Sequence, residues 1–234
     1  MYAKCLKRVM DFTLSLAALS ILSPVLLLLT VLGAVKMKGN PFFVQPRPGK
    51  DERIFRLIKF RSMTCETDEN GKPLPDAQRL TGYGKFLRAS SLDELPELIN
   101  ILIGDMSIVG PRPQLVRDMV FMTPEQRRRH SVMPGLTGLA QVSGRNNITW
   151  EQKFQYDLAY IDSGITFRKD VGIILRTVGK VFEQADTVRE GTASDQDFGD
   201  WLMQENKVNQ ETYSEKLEEA RDLLKKSVLE RGMF

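Results

Sequence analysis

Asp93 and Glu94 stand side by side in the run from Arg88 to Leu98, Arg-Ala-Ser-Ser-Leu-Asp-Glu-Leu-Pro-Glu-Leu. Paired carboxylates suit phosphoryl chemistry: one can attack phosphorus while the other holds Mg²⁺, a hard cation that prefers carboxylate and phosphate oxygens. Such a reaction also needs cations around the phosphates, because it is accelerated by positioning and charge stabilisation. Lys59, Arg88 and Arg112 are the candidates, and Pro111 and Pro113 stiffen the backbone on both sides of Arg112. A plainer reading makes Glu94 the partner of Ser91 in a capping box. Pro96 belongs near a helix start, so a helix is expected to begin near Asp93, where free N–H groups favour anions.

These residues need elements to hold them. Phe42-Phe43-Val44 and Arg53–Phe60 read as a hairpin around Pro46-Arg47-Pro48-Gly49. Alternation along the second arm puts Lys59 and Arg61 on one face. Apolar spacing predicts helices over 77–89, over 150–161 with Thr149 as cap, and over 167–188. In the last of these Val171, Ile174, Leu175, Val178 and Phe182 are expected to point inward.

Several blocks in one order resemble the bacterial sugar transferase family, specifically its small monotopic phosphoglycosyl transferases. They are Lys59-Phe-Arg-Ser-Met63, Ser91-Leu-Asp-Glu-Leu-Pro96, Gly104-Asp-Met-Ser107, Val109-Gly-Pro-Arg-Pro113, Pro134-Gly-Leu-Thr-Gly138 and Gln141-Val-Ser-Gly-Arg-Asn146. The likeness covers roughly residues 1–185. It implies a mostly helical fold with a small β-hairpin, an α+β chain with a re-entrant membrane helix and interfacial helices. It implies transfer of a phospho-sugar from a UDP-sugar to a polyprenol phosphate, with release of UMP, as the first membrane step of glycoconjugate assembly. Asp93 would be the nucleophile that carries a covalent phospho-sugar, and Glu94 would support Mg²⁺. Lys59, Arg88, Arg112, Arg145 and Asp157 would meet phosphate or nucleotide. The location implied is the cytoplasmic face of a bacterial inner membrane.

The chain of 234 residues divides on this reading into a membrane helix (1–38), a catalytic domain (39–190), and a linker with a charged helix (191–234). From Phe12 to Val35 no residue is charged. As one helix that run measures roughly 36 Å, enough to cross a bilayer core of about 30 Å. Yet Ser23-Pro24 falls at its centre, and Lys4, Lys7, Arg8, Lys36 and Lys38 flank both ends. Basic flanks belong on the cytoplasmic side, so a helix bent at Ser23-Pro24 that enters one leaflet and returns fits them. The Ser23 hydroxyl would then satisfy a carbonyl freed at the bend.

A net charge of +3 conceals six excess cations in residues 1–117 and three excess anions in 118–234. The basic half suits acidic partners or lipid headgroups, as does Arg127-Arg128-Arg129, with the single histidine, His130, read as a surface or interfacial residue. Two cysteines without metal spacing exclude a disulfide framework, and no nucleic-acid-binding motif accompanies the charge. A membrane-anchored adaptor remains an alternative, but it leaves Asp93-Glu94 and Arg112 without a purpose. Tyr213, Leu217, Ala220, Leu224 and Val228 form a narrow stripe that must bury against this domain or against a second chain. Closed pairing makes a homodimer the expectation.

Overall fold

The computed structural model describes residues 2–144, 148–183 and 196–231. It is mostly helical with one hairpin, as the resemblance implies. A π-helical lead-in, Tyr2–Leu6, opens into α1 (Lys7–Lys36). The hairpin follows, β1 (Phe42–Pro48) against β2 (Ile54–Phe60), antiparallel with Phe42 opposite Phe60. Short helices α2 (Asp76–Arg79) and α3 (Gly82–Ala89) lead to α4 (Glu97–Ile103). The helix expected over 77–89 is thus two, because Leu80 is extended and Thr81 caps the second by accepting from Gly84 N at 3.0 Å.

A second sheet was not anticipated. Strand β3 (Ser107–Val109) runs parallel to β4 (Gly135–Thr137), with α5 (Val116–Met119) and α6 (Pro124–Arg127) between them. Backbones approach so closely here that a Cβ on Gly110 would lie 2.3 Å from Met133 O. That approach fixes the turn carrying Pro111-Arg112-Pro113. Beyond it come α7 (Leu139–Ser143), α8 (Trp150–Asp162) and α9 (Phe167–Glu183). Thr149 and Gln152 form the capping box expected at the start of α8.

Helix α1 lies along the domain. Asp11, Ser15, Leu29 and Gly33 are buried, and Ala18, Leu19, Leu22 and Leu26 pack on core clusters between them. Alternating steps of three and four make one seam over about 33 Å of helix. Polar contacts pin its start: Arg8 donates to Ile101 O at 2.5 Å and Leu102 O at 2.8 Å, and Asp11 accepts from Ser107 Oγ and Ile108 N. At the far end Tyr83 Oη donates to Leu29 O. The helix runs from Lys7 to Lys36 with Pro24 inside it, so Ser23-Pro24 does not divide it into two helices. Ser23 Oγ donates to Ser20 O at 2.8 Å, serving the carbonyl that Pro24 cannot.

Three further expectations are corrected. Leu175 and Val178 of α9 point outward, at 66% and 50% exposure, because Asp170, Ile173 and Thr177 occupy the inner side. Part of the expected linker is helix α10 (Phe198–Gln204), whose Phe198 stacks among Trp150, Phe154 and Trp201; residues 191–195 lie outside the described residues. The last helix, α11 (Gln210–Arg231), folds back on its own domain. Ala220 packs with Ile54, Val116 and Met119, and Leu224 joins them. The stripe that suggested a homodimer is therefore covered within the chain.

His130 is buried, not interfacial, and the arginines before it are each paired. Arg127 meets Glu52 at 3.0 Å, Arg128 meets Glu125 and Asp162, and Arg129 meets Asp157 at 2.7 Å. Only Arg129 is buried in its pair; Arg127 and Arg128 pair at the surface. Burial, then the charge of Arg129, pushes the His130 imidazole down from 6.5 to about 3. The unfolded chain thus takes up this proton below 6.5 while the folded chain refuses it until about 3. Stability from neutral His130 is complete above that window and lost as pH falls through it. Thermal melts should show the advantage of wild type over His130→Gln shrinking steadily from pH 6.5 toward 4.

Candidate active site

The candidate residues converge where β2 meets α4. Asn100 of α4, fully buried, accepts from Ile58 N at 3.1 Å and donates to Arg56 O at 2.6 Å, treating the β2 edge as a further strand would. Phe55 and Leu57 pack on Leu98 and Ile101, so the same β2 face carries Lys59 to the start of α4. There Lys59 Nζ sits between two carboxylates, 2.9 Å from Glu94 Oε1 and 3.0 Å from Glu97 Oε1.

Asp93 and Glu94 lie on a short 3₁₀ turn, Leu92–Glu94, and α4 begins only at Glu97. Ser91 before it is left-handed (φ 55°) and makes no capping bond, so the capping-box reading fails. A non-glycine residue held there is strained and aims the next residues by its constraint. Glu94 turns inward to Lys59 and to Arg112, whose Nη2 makes a short contact with Oε1 and whose Nη1 lies 3.4 Å from Oε2. Arg88 Nε donates to Ser62 Oγ at 2.9 Å.

The charges divide the carboxylates by role. Burial alone would raise Glu94, but Arg112 and Lys59 outweigh it and hold Glu94 well below the usual carboxylate range. Burial and then the Glu94 charge raise Asp93, against Lys59, Arg112 and Arg88. Glu97 is pushed up to about 7 by burial. Glu94 is thus an organising anion, and Asp93 is the carboxylate with the more basic oxygens. The chain itself offers Mg²⁺ few donors here. Both Glu94 oxygens already face cations, and no group of three metal-ligating side chains occurs among the described residues. A Mg²⁺ ion held at this dyad would need further oxygens from outside the chain, as the ion commonly takes one or two carboxylates plus substrate phosphates.

Two residues expected at the substrate stand elsewhere. Arg145 lies outside the described residues. Asp157 is 3% exposed and faces away from solvent into Arg129, accepting from its Nε at 3.0 Å and Nη2 at 2.7 Å. Arg129 Nη2 also donates to Arg112 O at 2.7 Å. Asp157 therefore acts on Arg112 through Arg129, which corrects its reading as a substrate contact. Sequence reasoning missed Glu97, Asn100 and Arg129. Glu97 was findable, one turn beyond Glu94 on a helical face; Asn100 and Arg129 gave no local signal.

The family model described as bacterial sugar transferase matches residues 2–184. The chain belongs to the bacterial sugar transferase family. With it the expected enzyme class, a sugar transferase, is shown, and the adaptor reading falls. An "Uncharacterized sugar transferase EpsL" of Bacillus subtilis (strain 168) is 46% identical over 176 residues, 75% of this chain and 87% of that protein. The UDP-glucose:undecaprenyl-phosphate glucose-1-phosphate transferase of Klebsiella pneumoniae is 40% identical over 186 residues, 75% of this chain but 40% of its own length. The protein of that same name from Caulobacter vibrioides is 38% identical, over 74% of this chain and 68% of that protein. The chain spans about two fifths of the length of several relatives, and α10 and α11 lie beyond the family match.

The Arg129–Asp157 pair generates a test. Arg129→Met leaves a buried carboxylate without its cation and should cost about 3–5 kcal/mol. Arg129→Met with Asp157→Leu should recover most of that stability, since apolar replacement of a buried pair is often neutral. Transferase turnover should stay depressed in the double variant, because Arg112 has lost its carbonyl anchor. Melting curves beside turnover check this; full activity in the double variant would make the pair merely structural.

Proposed function

We propose that this sugar transferase moves a sugar phosphate from a UDP-sugar to a polyprenol phosphate through a covalent intermediate on Asp93. The observation that carries the reading is the contrast at one site: Glu94 bound between Lys59 and Arg112, and Asp93 beside it made more basic. The names of the Klebsiella and Caulobacter relatives, which specify a UDP-sugar and undecaprenyl phosphate, support the substrate classes.

In the first step an Asp93 carboxylate oxygen bonds to the phosphorus that bears the sugar. The bond from that phosphorus to the UMP oxygen breaks, and UMP leaves with the electron pair. In the second step a phosphate oxygen of the polyprenol carrier attacks the same phosphorus, and the bond to Asp93 breaks, restoring the carboxylate. Arg112, Lys59 and Arg88 supply positive charge to the equatorial oxygens, with Glu94 and Glu97 fixing Lys59. Mg²⁺, when bound with the diphosphate, supplies neutralising charge. Asp93→Asn keeps the shape but removes the attacking charge, so UMP release should fall by at least about 10³-fold. Mass spectrometry should find the phospho-sugar on Asp93 of wild type; an adduct on another residue overturns the reading.

We also propose that both ends of α1 face the cytoplasm, with the protein monotopic at the inner membrane. The outward side of α1 is apolar, with Ile21, Leu27 and Val35 each at least 67% exposed. Its inner seam reaches the same domain near both ends, at Arg8 and Asp11 and again at Leu29 and Gly33. A helix crossing the bilayer would carry one of those ends out of reach of the domain. A cysteine at position 2, with Cys5 and Cys65 replaced, should resist an impermeant thiol reagent in intact cells. Labelling equal to a periplasmic control would establish a span instead.

A further inference from the structure

Helix α9 turns two kinds of surface outward. Phe167, Leu175 and Val178 are exposed apolar residues. Beside them Arg168, Gly172 and Arg176 follow at i, i+4 and i+8, a stripe spanning about 12 Å. This stripe lines a half-open cavity of about 580 Å³, walled also by Leu139 of α7, Tyr160 of α8 and Ile173. The missing side chain at Gly172 leaves space, since a Cβ there would meet nothing within 4 Å.

The cations at the cavity differ in their engagement. Lys169 is held by the carbonyls at the end of α8, donating to Ser163 O and to Gly164 O at 2.8 Å. Arg168 and Arg176 have no hydrogen-bond or ion-pair partner among the described residues. The neighbouring carboxylate, Asp170, is turned inward and taken by Tyr2, Lys7 and Tyr160. Two free guanidiniums at an apolar-walled cavity match an anion that carries apolar substituents. Free phosphate would leave the Leu139 and Ile173 wall in water. The Tyr2 ring meets the Phe167 ring edge-on at 6.1 Å, tying this end of α9 to the start of apolar α1.

We propose that the cavity between α7, α8 and α9 binds the phosphate headgroup of an anionic glycerophospholipid. Arg168 and Arg176 hold the phosphate oxygens, and the acyl chains follow Phe167, Leu175 and Val178. The inference rests on the membrane placement above but not on the transfer reaction.

Full-length protein in detergent, titrated with phosphatidylglycerol and read by native mass spectrometry, tests it. Wild type should retain phosphatidylglycerol over phosphatidylcholine. Arg168→Gln with Arg176→Gln should weaken retention about thirtyfold, roughly fivefold for each cation. Gly172→Leu keeps both charges, favours the helix and fills the cavity, so it should weaken retention by about tenfold or more. UMP release in detergent should be unchanged in both variants. Wild-type retention in Gly172→Leu would mean diffuse surface attraction and overturn the site. No preference over phosphatidylcholine, or displacement of the lipid by a lower concentration of polyprenyl phosphate, would overturn it also. Failure of wild type to float with phosphatidylcholine vesicles would refute the membrane placement itself.

Discussion

Much of the structure hangs on Asn100. Its side chain closes the open edge of β2, and its carbonyl accepts from Gly104, Asp105 and Met106 as α4 ends. One buried residue thereby joins the strand that carries Lys59, the helix that follows Asp93 and Glu94, and the turn into β3. An amide is the side chain for this position, because it can both donate and accept, as a peptide unit does. A buried group with half its partners would cost more than it contributed.

Around that junction the site is organised as charge in near balance. Asp93, Glu94 and Glu97 stand among Lys59, Arg88 and Arg112, all within a partly buried region where unpaired charge is costly. The balance separates the functions of neighbouring carboxylates without any change of residue type. Glu94 is held ionised by its contacts, and Asp93, lacking such strong ones, keeps its oxygens available. The supports of Arg112 extend further inward, from its carbonyl to Arg129 and from Arg129 to Asp157.

The sequence disclosed what depends on local pattern. The hairpin, the Thr149 cap and the Asp93-Glu94 block are all short-range features, and the family is legible from blocks whose order no folding detail can disturb. What it concealed depends on partners far along the chain. Leu175 and Val178 have core spacing on a helical wheel, yet they face out because Thr177 and Asp170 meet partners in β4 and the N-terminus. Periodicity identifies an apolar face; it does not say whether protein or lipid covers it. In Arg127-Arg128-Arg129 nothing local marks Arg129 as buried, since its partner lies at residue 157. The parallel pair β3–β4 is three residues per strand, below what alternation can reveal.

The seam of α1 bears on what counts as a separable part. Its inward residues belong to the clusters of Leu98, Ile101 and Met106 and of Phe60 and Leu87. Cutting the chain after residue 38 would strip those clusters of one wall, orphan Ile108 N, and leave the Ile101 and Leu102 carbonyls without Arg8. The apolar helix is consequently an anchor on one side and a scaffold beam on the other. Trimming it in search of a soluble fragment would not liberate the enzyme but dismantle it.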